Sequence, residues 1–244
     1  MGGQIDMTEI SVVMPCYEEA DNLKILLPKI IEVLNGISPE VEILVVDTQA
    51  PKDQTPEICA QFSSVKYTPR YGGDNYGDAV RTGIESSSGK YVVFMDADGS
   101  HNPADIAKLY TGIKSDGADI VIGSRYMKGG ETDNPFILRL MSKILNVCYR
   151  IAFGLNVYDV SDSFRIYDGE KLRSIKLVCD NFDIVEEILI RFRKKYPAAK
   201  MTEIPIKFSK RLYGESKRDL LRFILSYLGT MYRLKKLQYK ETES

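Results

Sequence analysis

Two aspartates, Asp96 and Asp98, follow the apolar run Tyr91–Met95 and are separated by a single alanine. In an extended or tightly turned segment, residues two apart project to the same side. Two carboxylates arranged in this way can reach one hard divalent cation, and that cation can bridge phosphate oxygens. An Asp-x-Asp triplet is common by chance, but its position directly after a strand-like run makes these two residues candidates for a metal site.

Polar residues also follow two other strand-like runs. Tyr17 and Glu19 come after Ile10–Met14, and Asp47 comes directly after Val41–Val46. In open α/β sheets, ligands bind beyond the carboxyl ends of the strands. Carboxylates at one such edge therefore indicate a cation or a charged ligand. For Asp47 the alternative is a helix cap or a turn residue, two roles that aspartate commonly takes at strand ends.

The elements that would position these residues alternate along the first 125 residues. β-Branched and aromatic runs predict strands, and apolar positions at helical spacing predict helices between them. Strands joined by such helices imply right-handed crossovers, and therefore an α/β fold with a mainly parallel sheet. The predicted strands are Ile10–Met14, Val41–Val46, Val65–Thr68, Tyr91–Met95 and Asp119–Ile122. The predicted helices are Glu19–Leu34, Pro56–Phe62, Asp74–Ser87 and one that opens at Pro103.

The second half of the chain continues the same domain, because no shift in composition marks a boundary. Helical spacing and strand-like runs recur there, although less regularly than before. The predicted elements are helices at Pro135–Phe153, Asn181–Lys195 and Lys217–Leu237, and strands at Asp162–Tyr167 and Met201–Lys207.

Composition excludes several classes of protein. The chain has 33 Lys and Arg against 34 Asp and Glu, a net charge of -1, whereas nucleic-acid binders usually carry a strong basic excess. No stretch reaches the roughly 18 to 20 uninterrupted apolar residues that span a bilayer. The first residues lack a hydrophobic signal core. Four widely spaced cysteines and one histidine argue against zinc frameworks and a disulfide scaffold. We therefore expect a cytoplasmic protein that does not bind nucleic acid.

Five motifs stand in one order along the chain, and together they carry a resemblance that none of them carries alone. They are Val12-Val13-Met14-Pro15-Cys16-Tyr17-Glu18-Glu19, Asp96-Ala97-Asp98, Gly123-Ser124-Arg125-Tyr126, Asp159 with Ser163-Phe164-Arg165, and Arg211-Leu212-Tyr213-Gly214-Glu215-Ser216-Lys217. From about Ile10 to Lys217 the sequence resembles family 2 glycosyltransferases, and within them the dolichyl-phosphate mannose synthase type. The resemblance implies a GT-A fold, a Rossmann-like sheet, over residues 1–216. Residues 217–244 would form a basic amphipathic helix and tail.

The resemblance also implies roles for individual residues. One group would contact the nucleotide: Pro15, Tyr17 and Glu19 along its length, and Asp47 at the base. Asp96 would lie near the ribose or sugar and Asp98 on the metal, Mg²⁺ or Mn²⁺, with both aspartates as metal ligands. Basic residues would lie near the phosphates or in a segment that closes over the donor: Arg125, Arg165, Arg211 and Lys217. Three carboxylates are candidates for a catalytic base if the acceptor is a hydroxyl: Asp159, Asp162 and Glu187.

Some positions leave alternatives open. Glu187 is either that base or a solvated helix-face charge beside Arg191. His101 either contacts the metal or donor or has a turn role. Thr48 stands where relatives usually carry a second aspartate that contacts the base, so GDP and UDP donors both stay open. Asp162 replaces a usual glycine, either to contact the acceptor or to cap a turn.

The expected activity is an inverting, metal-dependent transfer of a sugar from a nucleotide-diphospho-sugar to a polyprenyl phosphate. The alternatives are transfer to a saccharide hydroxyl in polysaccharide assembly, and non-catalytic binding of a nucleotide sugar. The basic, apolar character of Phe136–Phe153 and of the tail suits the surface of an anionic membrane. It equally suits packing against the sheet or against a second subunit of a homo-oligomer.

Overall fold

The structure is a computed structural model that describes residues 8–212 and 229–236. Its strands are β1 (Ile10–Pro15), β2 (Val41–Asp47), β3 (Val65–Pro69), β4 (Tyr91–Phe94), β5 (Ile120–Ser124), β6 (Glu131–Thr132), β7 (Arg165–Asp168), β8 (Met201–Pro205) and β9 (Lys207–Phe208). Its helices are α1 (Ala20–Asn35), α2 (Thr55–Cys59), α3 (Tyr76–Ser86), α4 (Asp105–Asp116), α5 (Phe136–Phe153), α6 (Gly169–Arg173) and α7 (Ile184–Lys195). Residues 229–236 are also helical, and the rest of the predicted helix Lys217–Leu237 lies outside the described residues.

Seven strands form one sheet in the order β3-β2-β1-β4-β7-β5-β8, and β6 pairs with β9 in a separate two-stranded sheet. Neighbours pair in parallel except around β7, which runs antiparallel to both β4 and β5. The predicted mainly parallel sheet is therefore confirmed. The direction of β7 was not predicted, and neither were the short elements α6, β6 and β9.

The central strands are apolar along their whole length because both faces of the sheet are covered. Successive residues of a strand point to opposite faces. Val12 packs with α1 and α4 on one face, and Val13 packs with α3 and α7 on the other. Continuous runs of Val and Ile, rather than an alternating pattern, are what a sheet buried on both faces requires.

The helix α5 is largely uncovered. Within this fully described helix, only Asn146 and Tyr149 are buried. Its exposed apolar side chains are Phe136, Ile137, Leu138, Leu140, Ile144, Val147 and Ile151. No helix in the described ranges 8–212 and 229–236 is long and apolar enough to cross a membrane. The helix therefore presents an apolar surface alongside the domain without spanning a bilayer.

Candidate functional site

A cavity of about 320 Å³ lies beyond the carboxyl ends of β1 and β4, and we call it the carboxylate cleft. Six of the predicted site residues line it: Pro15, Tyr17, Glu19, Asp96, Asp98 and Arg211. The topology explains this convergence, because β1 and β4 are hydrogen-bonded neighbours that end at the same edge of the sheet. The other lining residues are Cys16, Arg70, Asp74, Tyr76, Ala97 and Phe182.

The segment around Arg211 lies directly against the Asp96–Asp98 turn. Arg211 Nε is 2.9 Å from Asp98 Oδ2, and its guanidinium is 4.0 Å from Glu19 Oε1. The Leu212 N–H donates to the main-chain oxygen of Asp98 at 3.0 Å. Gly99 makes this approach possible: its φ is +78°, and a Cβ there would lie 2.5 Å from Leu212.

The cleft concentrates negative charge. Burial raises the pKa of Glu19 above its usual range, and the nearby Asp98 and Asp96 carboxylates add to the shift. Burial also raises the pKa of Asp96, to which Asp98 and Asp162 contribute. Both shifts mean that the ionised form of the carboxyl group is destabilised when no cation lies beside it. The cleft therefore favours a positive ligand, and Arg211 supplies one charge.

Asp96 and Asp98 offer the hard oxygen ligands that Mg²⁺ and Mn²⁺ prefer. Within the described part of the chain, no group of three or more His, Cys, Asp or Glu is arranged to hold a metal ion by itself. Magnesium is commonly bound by one or two carboxylates, with substrate phosphates and water completing its coordination. The residues present fit a metal of that kind, which arrives with a phosphorylated ligand.

Arg70 forms the floor of the cleft, and the sequence motifs did not identify it. Its side chain is only 5% exposed. It donates to the main-chain oxygens of Cys16, of Asp47 at 3.1 Å, of Asp74 at 2.9 Å and of Asn75 at 3.1 Å. One guanidinium thus joins the loops that follow β1 and β2 to the loop that precedes α3.

Asp47 lies at the end of β2 as predicted, but it does not line the cleft. The Thr48 N–H donates to it at 2.7 Å, and the Tyr67 hydroxyl donates at 3.4 Å. The residue is 1% exposed, and burial raises the pKa of its carboxyl. Asp47 is therefore buried, and it is not among the residues that line the cleft.

A second constellation surrounds Arg125. Its guanidinium makes two bonds to Asp159, each of 2.8 Å, and its Nε lies 3.0 Å from Asp162 Oδ2. Burial would raise the pKa of Asp162, but Arg125 and His101 outweigh it and lower that pKa to about 2. The paired acids raise the pKa of Arg125 well above its usual range despite burial. The predicted residues Arg125, Asp159 and Asp162 therefore meet as one buried ionic group.

His101 connects this group to the carboxylate cleft. Its Nδ1 accepts the Asp96 N–H at 3.3 Å, and its Nε2 lies 3.1 Å from Asp162 Oδ1. Accepting at Nδ1 leaves Nε2 as the donor to Asp162. The ring is 1% exposed and stacks on Phe164 at 4.8 Å between centroids. His101 thus closes the turn that follows Asp96, which agrees with the predicted turn role, and its ring is also a buried link from the Asp96 main chain to Asp162.

A larger cavity of about 560 Å³, which we call the basic pocket, opens on the other side of Arg125. Its cations are Arg125, Arg139 and Lys143, and its remaining lining residues are Tyr126, Gly130, Glu131, Thr132, Asp133, Phe136 and Leu140. Arg139 and Lys143 stand one turn apart on α5, so they project from the same face of the helix. The pocket thus lies between the Arg125 group and the uncovered helix.

The glycosyl transferase family 2 model matches residues 11–175, which is more than half of the 244-residue chain. The chain belongs to glycosyltransferase family 2. It is 39% identical over 235 residues to a dolichol-phosphate mannosyltransferase of Pyrococcus furiosus, a match that covers 93% of this chain but only 64% of that protein. It is 32% identical to an undecaprenyl-phosphate mannosyltransferase of Micrococcus luteus, over 85% of this chain and 86% of the relative. The resemblance found in the motifs is therefore confirmed.

The fold of this family 2 member is also that of solved glycosyltransferases. Glucosyl-3-phosphoglycerate synthase from Mycobacterium tuberculosis, in complex with Mn²⁺, UDP and glucosyl-3-phosphoglycerate, superposes with a TM-score of 0.73. The match covers 94% of this chain and 80% of that one. Because the sequence identity is only 17%, the match is evidence for the fold alone. The predicted GT-A fold is confirmed.

Arg165 and Glu187, two further residues transferred from the family motifs, also line neither cavity. Arg165 is fully buried and donates to the main-chain oxygens of Val160 at 2.8 Å and Val185 at 2.7 Å. The Arg165 guanidinium therefore holds the loop before β7 against α7 and faces neither cavity. The expectation of a phosphate contact came from the resemblance to family motifs, which does not reveal the burial of Arg165.

Glu187 is the other. Its carboxylate is fully buried, accepts the N–H groups of Val178 and Cys179 at 2.8 to 3.0 Å, and pairs with Arg191 Nε at 2.6 Å. Val178 and Cys179 belong to the segment before α7 and Arg191 to α7 itself, so the Glu187 carboxylate joins the two and is not a solvated surface charge. Lys217, predicted to lie in the segment that closes over the donor, is outside the described residues.

Proposed function

We propose that the protein transfers a sugar, with inversion at the anomeric carbon, from a nucleotide-diphospho-sugar to a polyprenyl phosphate with the help of a divalent metal ion. The observation that carries the proposal is the pairing of two cavities of opposite character. The acidic carboxylate cleft and the basic pocket are joined by the series Asp96, His101, Asp162 and Arg125, of which His101 and Asp162 are buried. A donor diphosphate with its metal suits the first cavity, and an acceptor phosphate suits the second.

The donor side rests on Asp96 and Asp98. These carboxylates would hold Mg²⁺ or Mn²⁺, and a metal bound there would supply positive charge to stabilise the departing nucleoside diphosphate. Arg211, 2.9 Å from Asp98, is placed to add a second positive charge beside the diphosphate. Related folds solved with Mn²⁺ or Mg²⁺ and UDP support a metal-bound nucleotide in this type of cleft.

The acceptor side rests on α5. Arg139 and Lys143 line the basic pocket, and the exposed apolar side chains of the same helix provide a surface for a polyprenyl chain or for the membrane that holds it. Relatives named for dolichol phosphate, undecaprenyl phosphate and polyprenol monophosphomannose support a polyprenyl phosphate acceptor and a mannosyl group. We propose on the same grounds that the protein works peripherally, at the cytoplasmic face of a membrane.

The proposed reaction needs no general base. A phosphate oxygen of the acceptor attacks the anomeric carbon with its own lone pair, and the bond from that carbon to the donor diphosphate breaks, so its electrons leave with the nucleoside diphosphate. A saccharide hydroxyl would have to lose a proton. Asp159 and Asp162 are both engaged with Arg125, and Glu187 is bound to main-chain N–H groups. The three candidate bases are thus occupied, which favours the phosphate acceptor and a single displacement.

The donor site is tested by titrating GDP and UDP into the protein by calorimetry, with and without Mn²⁺. We expect one nucleotide to bind in a metal-dependent manner, and Asp98→Asn to weaken that binding at least about tenfold because a ligand to the metal is lost. Unchanged affinity in Asp98→Asn would remove this residue from the metal site. If neither nucleotide binds to the wild-type protein, the proposed function is wrong.

The acceptor is tested by transfer from labelled GDP-mannose or UDP-glucose to a polyprenyl phosphate in detergent micelles. Arg139→Gln with Lys143→Gln should raise the KM for the lipid phosphate and leave nucleotide affinity unchanged. Lys29→Gln with Lys66→Gln, which removes two exposed charges on α1 and β3, is the matched control. Nucleotide binding without any transfer would instead support the non-catalytic alternative.

A further inference from the structure

One wall of the carboxylate cleft is aromatic. Tyr76 and Phe182 both line the cleft, and their rings stack with centroids 4.3 Å apart and planes inclined by 25°. The Tyr76 hydroxyl donates to Asp96 Oδ1 at 3.4 Å, which places the wall beside the candidate metal ligands. Phe182 is 42% exposed, so a ligand in the cleft can reach its ring.

The segment that carries Phe182 is held against α3 by its main chain. The Gly77 N–H donates to the Asp180 oxygen at 2.7 Å, and Arg81 donates to the Cys179 oxygen at 2.6 Å. A Cβ on Gly77 would lie 2.2 Å from the Cys179 oxygen, so only glycine allows this approach. The start of α3 and the segment before α7 are therefore in direct contact along one side of the cleft.

The helix 229–236 holds the same segment from behind. Thr230 Oγ1 donates to Asp183 Oδ2 at 2.7 Å, and Arg233 donates to the same oxygen at 2.5 Å. Leu234 is 3% exposed and packs in the core on the α7 side of the sheet. Asp183 is the immediate neighbour of Phe182 in the chain, so these bonds act one residue away from the aromatic wall.

We propose that Phe182 contacts the nucleoside part of the donor, and that the helix 229–236 is a positioning element that holds Phe182 in place through Asp183. This inference rests on the proposed function, because it assumes a nucleotide in the carboxylate cleft. The position of the wall specifies which part of the donor it contacts. Asp74 Oδ1 accepts the Gln49 N–H of the loop after β2 at 2.9 Å, and the Tyr76 hydroxyl contacts Asp96, so the wall lies between the β2 loop and the candidate metal ligands. The nucleoside lies between those two ends, and its flat rings stack favourably on an aromatic face.

The direct contact is tested by titrating the better-binding nucleotide of GDP and UDP, with Mn²⁺, into Phe182→Ala. Loss of an aromatic stacking partner should weaken binding by about tenfold or more. Phe182→Tyr keeps the ring and should bind like the wild type. Val178→Ala is the matched control, because Val178 lies in the same segment and is 48% exposed but does not line the cleft.

The positioning role is tested with Thr230→Val combined with Arg233→Met, which removes both side-chain donors to Asp183 Oδ2 and leaves Phe182 itself intact. We expect nucleotide affinity to fall by about threefold to tenfold while kcat at saturating donor stays unchanged, because only the placement of the ring is relaxed. Tyr232→Ala, on the exposed side of the same helix, should have no effect. Thermal melting of each variant verifies that the domain is folded at the temperature of the titration.

The outcomes separate this inference from the proposed function. If the wild type binds the nucleotide and Phe182→Ala binds it with the same affinity, the contact with Phe182 is refuted and the proposed donor site is not affected. Weaker binding of the nucleotide sugar but not of the nucleoside diphosphate would assign Phe182 to the sugar and overturn the inference as stated. Full affinity in the Thr230 and Arg233 double variant would refute the role of the helix. Absence of nucleotide binding by the wild type would overturn both proposals.

Discussion

Replacing Arg70 by methionine should damage both the stability of the domain and its donor site. Methionine keeps most of the apolar stem but removes the donors that reach four main-chain oxygens. Two of those oxygens keep a main-chain partner: the Asp47 oxygen accepts the Arg70 N–H at 2.8 Å, and the Asn75 oxygen accepts the Ala79 N–H at 3.3 Å. The loss therefore falls on the oxygens of Cys16 and Asp74.

The magnitude follows from those two bonds. A hydrogen bond to a charged group contributes about 1.5 to 3 kcal/mol to stability. Because both oxygens belong to residues that line the cleft, water can reach the site, and the lower value applies to each. The free energy of unfolding should therefore decrease by about 3 kcal/mol, a large part of the roughly 5 to 15 kcal/mol that stabilises a typical domain. Nucleotide affinity should fall as well, since Cys16 and Asp74 would no longer be fixed.

Urea unfolding followed by circular dichroism measures the first effect, and calorimetry with GDP or UDP measures the second. Arg70→Lys should lie between the variant and the wild type, because an ammonium keeps the charge but cannot reach all the oxygens at once. Arg193→Met, at an exposed position of α7, is the control and should change stability by less than about 0.5 kcal/mol. If Arg70→Met unfolds within about 1 kcal/mol of the wild type and binds nucleotide normally, the role given to Arg70 is wrong.

Two further perturbations test other parts of the molecule. Burial raises the pKa of Glu186 to about 8 from 4.5 although Arg165 opposes the shift, so folding takes up a proton between these values and stability should decrease as the pH rises through that window. Glu186→Gln should remove this decrease in urea unfolding between about pH 5 and pH 9, and an unchanged pH slope would contradict the assignment. On α5, Ile144→Asp with Ile151→Asp should reduce co-flotation with anionic phospholipid vesicles by about tenfold or more. Gln61→Asp with Thr111→Asp adds the same charge at exposed positions of the domain, and an equal loss there would show that charge, not the apolar face, is responsible.

The sequence predicts the core strands and the ends of the strands well, for a physical reason. A strand buried on both faces needs a continuous apolar run, and a parallel sheet brings the following residues to one edge. Tyr17, Glu19, Asp96 and Asp98 were found by this rule alone. The antiparallel direction of β7 was not predicted, because the rule of right-handed crossovers applies only to parallel neighbouring strands.

The residues that the sequence missed depend on contacts between distant segments. Arg70 follows a short strand and has no motif, and its role arises only when four loop carbonyls meet around it. Phe182 becomes part of the cleft because Gly77 allows its segment to approach α3. Glu187 illustrates the opposite error: its pairing with Arg191 was readable from the spacing of four, but its complete burial was not.

The antiparallel strand β7 has a consequence for how the protein is made. Among the described strands, β4 and β5 are joined only through β7, which follows them in the chain by some forty residues or more. During synthesis the strands β1 to β4 can therefore assemble before β7 is made, and the edge of β4 stays unpaired until then. Unpaired strand edges are prone to aggregation. Asp159 and Asp162 immediately precede β7. When β7 pairs with β4 and β5, these two residues therefore also reach their partners Arg125 and His101. A truncated or stalled chain that ends before β7 should therefore contain Arg125 and His101 without their acidic partners.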